Sequence, residues 1–178
     1  RDVDGDAIPY RTLPGTDHPL AAYFTRGSGH NDKAQYSERP DDYEALMERL
    51  ARKFDTARTL VPAPVVVQTG KSKIGIIAFG TSDFAVEESR DQLLKEYGVE
   101  TDYMRLRAFP FSPVVHEFIA SHERVYVVEQ NRDAQMLSLL KLDLPPEETI
   151  RLRSIRHFNG LPIDARSVAD ASVMQKEI

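Results

Sequence analysis

Between positions 43 and 61 apolar residues recur at alternating spacings of four and three: Tyr43, Met47, Leu50, Phe54, Ala57 and Val61. An α-helix turns once in about 3.6 residues, so this rhythm lines them up on one face and predicts the best-defined helix in the chain. Pro40 marks its start, followed by Asp41 with Glu44 three positions on, a capping-box spacing in which the Asp41 carboxylate accepts the Glu44 amide proton. Pro62 and Pro64 end it, because proline lacks the amide hydrogen and drives the residue before it toward extended geometry. Residues 61–67 are expected to run as an extended strap into the next unit.

Beyond Lys73 the rhythm changes to strand then helix, repeated. Residues 74–79 form a short apolar run closed by Gly80, the mark of a strand buried on both faces. Ser82 or Asp83 is placed to cap a helix over residues 84–97 that Gly98 ends, and a strand over residues 99–108 follows. Ser112-Pro113 supplies a cap and first-turn pair for a helix reaching His122. Residues 125–129 read as a third strand, Asp133 as the cap of a helix to Leu140, and the acidic, proline-bearing stretch 143–148 as a break. A fourth strand over 152–155 and a final helix over 164–176 complete the pattern. Parallel neighbours need a crossover and a helix provides it, so the alternation favours a mostly parallel sheet covered on both faces. The expected fold class is α/β, a three-layer sandwich, preceded by an extended connector and the amphipathic helix.

Residues 8–38 obey neither period. Polar groups of both signs, Asp17, His18, Arg26, His30 and Asn31, alternate there with Tyr10, Tyr23, Phe24 and Tyr36, and turns are supplied by Pro14-Gly15 and Gly27-Ser28-Gly29. Disordered arms are poor in aromatics, so this stretch is expected as an ordered connector packed against a neighbour.

The order of PYRTLPGTDHP, YFTRGSGHN and YSERPDDYE resembles the alpha subunit of 2-oxoacid:ferredoxin oxidoreductases, the 2-oxoglutarate type above all. KIGIIAFG and RVYVVEQNRDAQM resemble that subunit's closing domain, which has the fold of the transketolase C-terminal domain. The likeness runs over essentially the whole chain; it is specific in the first part and generic in the rest. It implies that residues 1–67 are a connector from an upstream thiamine-facing domain plus a linking helix, and that residues 68–178 are the transketolase-like domain. It also implies a thiamine-dependent enzyme that decarboxylates a 2-oxoacid, passes electrons to ferredoxin and forms an acyl-coenzyme A. The groups that activate thiamine and recognise the 2-oxoacid then lie upstream of Arg1. Thiamine diphosphate, Mg2+ and an iron–sulfur cluster are cofactors of the whole complex, with the diphosphate and cluster sites in the beta subunit. The present chain is expected to hold no cofactor, to supply no catalytic residue and to be inactive alone. Its implied work is to brace the upstream alpha-subunit domains and to meet the beta subunit, with ferredoxin and coenzyme A acting on the complex.

Composition narrows the partners. The 23 basic and 28 acidic residues give a net charge of -5, which argues against nucleic-acid backbone binding as a main activity. With no cysteine, the chain has neither a thiolate for an iron–sulfur cluster nor a disulfide. No apolar run approaches the ~20 residues that cross a bilayer, and no charged-then-apolar signal region opens the chain, so a soluble cytoplasmic protein without membrane contact is expected. The start at Arg1, without methionine and directly in loop-like sequence, points to a natural fragment, a proteolytic product or a trimmed piece.

Two regions are candidates for chemistry. Ligands of open α/β sheets favour the crevice beyond the carboxyl ends of the strands, and those ends carry Gly80-Thr81-Ser82, Phe109-Pro110-Phe111 and Glu129-Gln130-Asn131-Arg132-Asp133. Gly80, Thr81, Ser82, Asn131 and Asp133, with the amides of the helix that follows, form a possible anion site; ordinary capping is the alternative. In the connector, Arg26 offers a rigid fork for a carboxylate or phosphate, His18, His30 and Asn31 offer donors near Asp17, and Gly27 and Gly29 permit close backbone approach. By resemblance this region lies near the catalytic partner and the coenzyme A or 2-oxoacid pocket; the alternative is polar groups satisfying one another within a loop.

Other constellations are incomplete. Asp2, Asp4 and Asp6 match the first ligands of a calcium loop, but Ala7 replaces the turn glycine and Leu13 the closing glutamate. Gly5-Asp6 with Asn31 echoes a thiamine diphosphate-metal motif without its second glycine or its helix. His18, His30, His116, His122 and His157 lack zinc spacing, and there is no nucleophile elbow or Walker loop. Arg105, Arg107, Arg151, Arg153 and Arg156 sit on expected strands, where they can meet an acidic partner or simply discourage edge pairing. The rival functional reading is a free-standing doubly wound module that binds a small anion in the crevice at Gly80 and Asn131.

Overall fold

The apolar run over residues 74–79 becomes the middle strand of a five-stranded sheet in the computed structural model, which describes residues 2–21 and 29–174. The strands are β1 (Val65–Val67), β2 (Ile74–Phe79), β3 (Asp102–Leu106), β4 (Arg124–Glu129) and β5 (Leu152–Arg156), in the order β1-β3-β2-β4-β5. β2 runs parallel to β3 and to β4, β4 runs parallel to β5, and β1 lies antiparallel on β3. The helices are α1 (Pro40–Leu60), α2 (Ser82–Tyr97), α3 (Pro113–Ala120), α4 (Gln135–Asp143), α5 (Pro146–Thr149) and α6 (Ala165–Met174).

Successive strand side chains point to opposite faces, and the two faces are filled by different helices. Ile77, Met104, Val125, Val127 and Leu152 meet Val115, Phe118 and Ile119 of α3 and Leu137 and Leu140 of α4. Ile76, Ala78, Tyr103, Tyr126, Val128 and Ile155 meet Ala85, Val86 and Leu93 of α2 and Val168 and Ala169 of α6. The result is the expected three-layer α/β sandwich with a mostly parallel sheet. Each aliphatic side chain fully buried in these layers contributes about 1.5–3 kcal/mol relative to exposure. Gly75 is glycine because the rings of Phe118 and His122 lie over it: a Cβ there would stand 2.7 Å from Phe118 Cε1.

The chain divides into two units, Arg1–Leu60 and Val61–Ile178. The proline-led strap, expected to belong with the connector, enters the sheet as β1 and is part of the second unit. Within the first unit, connector residues pack on α1: the Arg49 guanidinium donates to the Ala7 carbonyl (2.9 Å) and Thr56 Oγ1 to the Asp6 carbonyl (2.7 Å). Pro14-Gly15 turns the chain as expected, with the Leu13 amide on Thr16 Oγ1 and the Thr16 amide on the Leu13 carbonyl.

Element positions follow the periodicity closely, but the caps do not follow the expected residues. α1 begins at Pro40, so Asp41 lies inside its first turn; the carboxylate is gripped by Arg39 through Nε (3.0 Å) and Nη2 (2.7 Å), which holds it below the usual carboxylate range. α2 begins at Ser82 with Thr81 at its N-cap and no side-chain cap bond, so neither Ser82 nor Asp83 caps it. Asp83 is instead buried and accepts from Tyr103 Oη (2.6 Å) and Arg105 Nη1 (2.8 Å). Asp164 does cap α6, accepting the Ser167 amide at 2.8 Å.

Candidate functional site

From β2 the chain turns through α2 to β3 on one side; from β4 it turns through α4 to β5 on the other, with α2 and α4 on opposite faces of the sheet. The loops after β2 and β4 therefore flank the position where a doubly wound sheet opens a crevice. Gly80 makes the turn out of β2 in the left-handed region, φ +60°. Gln130 spans the crevice: Nε2 donates to Thr81 Oγ1 (3.2 Å) and Ser82 Oγ (3.1 Å), while Oε1 accepts the Ile163 amide (3.2 Å).

The start of α4 is occupied from within. Glu129, the last residue of β4, is 0% exposed and accepts the Met136 amide (2.8 Å), the Leu137 amide (3.2 Å) and Asn131 Nδ2 (2.6 Å). Asn131 Oδ1 accepts the Asp133 and Gln135 amides. The amides that were expected to be open to an external anion are thus bound by a carboxylate of the chain itself and by Asn131. Asp133 does not cap α4; it lies exposed, paired with Arg132. Gly80, Thr81, Ser82 and Asn131 are brought to one sheet end with Gln130 among them, and Asp133 points outward. Sequence reasoning gave no role to Glu129 or Gln130. The available signal was the position of Glu129 at the end of an apolar run, where an acid must find partners or remain unsatisfied.

In the connector, Asp17 and His18 are exposed, and His18 Nδ1 accepts the Leu20 amide (3.1 Å) in a local turn. Arg26 and Gly27 lie outside the described residues. His30 Nδ1 donates to the Asn31 carbonyl (2.9 Å), while Asn31 Oδ1 accepts the Lys33 and Gln35 amides. His30 and Asn31 line a cavity of about 700 Å³ within the first unit, together with Tyr10, Arg11, Arg49 and Lys53. Asp17 and His18 do not line it.

One buried constellation has the distances of a hydrolase triad. His122 Nε2 is 3.1 Å from Asp102 Oδ2, and Nδ1 is 3.2 Å from Ser121 Oγ. Its hydrogen bonds assign it another role. Nδ1 donates to the Phe118 carbonyl at 2.6 Å and so cannot take a proton from Ser121, whose hydroxyl also donates to that carbonyl. Asp102 Oδ1 accepts the Thr69 amide and hydroxyl, so the group is a buried clasp joining the turn after β1, the start of β3 and the end of α3. His116 bonds Asp143 (3.0 Å) and His157 the Leu161 carbonyl (3.0 Å); no three His, Cys, Asp or Glu among the described residues are arranged to hold a metal. Asp6 Oδ1 accepts the Ile8 amide and Asn31 Oδ1 is likewise taken, so the residues that echo a thiamine diphosphate-metal motif do not fit that group. The strand arginines fasten carbonyls: Arg107 bonds Ala63, Arg151 bonds Ala120 and His122, Arg153 bonds Ile150 and Leu152, and Arg156 bonds Arg132.

No family model matches the chain. The alpha subunit of 2-oxoacid:ferredoxin oxidoreductase 2 from Aeropyrum pernix is 26% identical over 177 residues, 96% of this chain. This chain resembles a 2-oxoacid:ferredoxin oxidoreductase alpha subunit. It spans 26% of the length of that subunit. Its fold matches the 2-oxoglutarate:ferredoxin oxidoreductase from Magnetococcus marinus, solved with 2-oxoglutarate, coenzyme A and succinyl-CoA bound, at a TM-score of 0.77. That match covers 97% of this chain and 30% of the neighbour at 20% identity. The alpha chain of a probable 2-oxoacid ferredoxin oxidoreductase from Thermoplasma acidophilum overlaps more loosely, at a TM-score of 0.40 over 63% of this chain and 95% of its own, with 21% identity. Among the described residues no helix is long and apolar enough to cross a membrane.

Proposed function

We propose that this chain is the C-terminal part of the alpha subunit of a thiamine-dependent 2-oxoacid:ferredoxin oxidoreductase, with 2-oxoglutarate as the 2-oxoacid. The complex would oxidatively decarboxylate the 2-oxoacid, pass two electrons to ferredoxin and leave the acyl group on coenzyme A, in the cytoplasm. The observation that carries this reading is a likeness over 96% of the chain to one alpha subunit, joined to a fold match over 97% of it. The 2-oxoglutarate preference rests on the Magnetococcus marinus neighbour, whose structure holds that substrate.

Within such a complex the chain's work is structural. Its buried ionisable groups are spent on internal partners: Glu129 on α4, Asp102 on His122, and Asp83 on Tyr103 and Arg105. The second unit is a transketolase-like buttress. The cavity of the first unit, with Arg11, Arg49 and Lys53 on its wall, is the surface offered to the upstream domains or to a thiamine- and cluster-binding beta subunit. A free-standing anion-binding module would need the α4 amides, and Glu129 already fills them.

The test is reconstitution. The chain alone should give no 2-oxoacid-dependent dye reduction, and the longer alpha subunit mixed with its beta partner should give it. In that complex, replacing Arg26 or Lys53 with alanine should lower coenzyme A-dependent turnover or complex mass. Unchanged kinetics and mass in both variants would remove the interface role of the connector.

A further inference from the structure

The chain has three asparagines, and the residue after each sets its chemistry: Asn31 precedes Asp32, Asn131 precedes Arg132 and Asn159 precedes Gly160. The side-chain amide carbon of asparagine is an electrophile that the next backbone nitrogen can attack, closing a five-membered ring. A glycine there leaves that nitrogen unshielded, because it has no Cβ.

The structure separates Asn159 further. Asn31 and Asn131 are tied through both ends of their amides. Asn31 Oδ1 accepts the Lys33 and Gln35 amides while Nδ2 donates to Gln35, and Asn131 Oδ1 accepts the Asp133 and Gln135 amides while Nδ2 donates to the buried Glu129. Asn159 lies exposed on the bend after β5, between Phe158 at 58% exposure and Leu161 at 69%. Its Nδ2, the atom that must leave, has no hydrogen-bond partner among the described residues, and neither has the Gly160 amide. Asn159 Oδ1 accepts the Leu161 amide at 2.9 Å. The ring closed by that hydrogen bond contains both Asn159 Cγ and the Gly160 nitrogen, and its donor stands on the oxygen that gains charge when the two join.

We propose that Asn159-Gly160 is a self-modifying site whose conversion unfastens the loop over residues 157–163 from the sheet end. The Gly160 nitrogen, once deprotonated, attacks Asn159 Cγ; the bond to Nδ2 breaks and ammonia leaves. Water then opens the succinimide at either carbonyl, giving aspartate or isoaspartate. The loop is held by the His157 amide on the Glu129 carbonyl (3.0 Å), His157 Nε2 on the Leu161 carbonyl (3.0 Å) and the Ile163 amide on Gln130 Oε1 (3.2 Å). Gln130 is also the side chain that spans to Thr81 and Ser82. Isoaspartate routes the main chain through the former side chain, which lengthens it by one carbon and abolishes the turn onto Leu161. Leu161 then leaves His157, and Ile163 leaves Gln130.

The site holds or fails independently of the enzyme reading. The chain is incubated at mildly alkaline pH, in buffer and in urea, and followed by peptide mass spectrometry. In buffer the peptide carrying Asn159 should gain the mass of one amide-to-acid conversion, with isoaspartate among the products, while those carrying Asn31 and Asn131 stay unchanged. Folding should slow Asn159 by less than about tenfold relative to urea, a barrier difference of ~1.4 kcal/mol. The isoaspartate form should lose hydrogen-exchange protection at the Ile163 amide. Asn159→Ser, which keeps an oxygen acceptor but has no amide to lose, should keep both its mass and that protection. Slowing of Asn159 beyond tenfold, earlier conversion at Asn31 or Asn131, or an isoaspartate form with full protection at Ile163 would each overturn the proposal.

Discussion

Replacing Glu129 with alanine should destabilise the second unit more than any surface change, and the structure gives the size of the effect. Three donors converge on the carboxylate: the Met136 and Leu137 amides of α4 and the side-chain amide of Asn131. Hydrogen bonds to a charged group contribute about 1.5–3 kcal/mol each, but they share one acceptor and do not add in full. Truncation also strands two helix amides at a site that excludes water, since Glu129 is 0% exposed and Leu137 8%. Removing one side of such an arrangement costs about 3–5 kcal/mol. The unit spans 118 residues, from Val61 to Ile178. At that size each 1 kcal/mol moves the melting temperature by about 3–5 °C, so a fall of about 10–20 °C is expected.

The assay is thermal unfolding followed by circular dichroism, with hydrogen exchange on α4 as the local readout. Glu129→Gln should fall between wild type and alanine: its carbonyl can accept one amide, while its NH2 group confronts the remaining donors. Formate added to Glu129→Ala should recover part of the loss by entering the vacated anion position. A melting temperature within about 2 °C of wild type in Glu129→Ala would refute the reasoning, because it would mean the α4 amides find equivalent partners without the carboxylate.

Two further outcomes test the packing and the surface electrostatics. Gly75→Ala places a methyl 2.7 Å from Phe118 Cε1 and 3.3 Å from His122 Cγ, both on buried rings, so the urea midpoint should drop by the equivalent of about 1–3 kcal/mol with an unchanged m-value; no change would mean α3 moves freely off the sheet. Glu96, bound through both oxygens by Arg166, and Asp164, which caps α6, are each held below the usual carboxylate range. A depressed folded-state value means their contribution is complete above the ordinary carboxylate pKa and is lost as pH falls through the lowered one, so stability should decline on acidification below about pH 4. Arg166→Ala should flatten the Glu96 part of that decline, a small and salt-sensitive effect because both groups are exposed; identical pH profiles in low salt would exclude it.

Periodicity made the strands and helices legible because burial on one or both faces leaves a local trace: β2 is apolar throughout, the interior of β4 over residues 125–128 is apolar as well, and α1 repeats at helical spacing. The edge strand β1 left a weaker trace. Its three valines read as a strap because what makes them a strand is pairing with β3, 36 or more residues along the chain. Caps were least legible. Asp41, Ser82, Asp83 and Asp133 have the right chemistry beside helix starts, yet the acceptor that serves α4 is Glu129, seven and eight residues before the amides it binds. The distance exceeds any capping motif because β4 and α4, once packed, aim the carboxylate there.

Glu129 and Asp102 share a sequence signature despite different partners: each stands at a strand terminus beside buried residues, Glu129 closing β4 after Val128 and Asp102 opening β3 before Tyr103. An acid in that position cannot reach water without withdrawing the strand end from the core, so it must be met by donors inside the protein. Local sequence therefore establishes that each is partnered. It does not say by what, because His122 lies 20 residues from Asp102 and only the crossover through α3 brings the ring to the carboxylate. The connector follows the same logic: His30 and Asn31 settle their hydrogen bonds with backbone groups close in sequence.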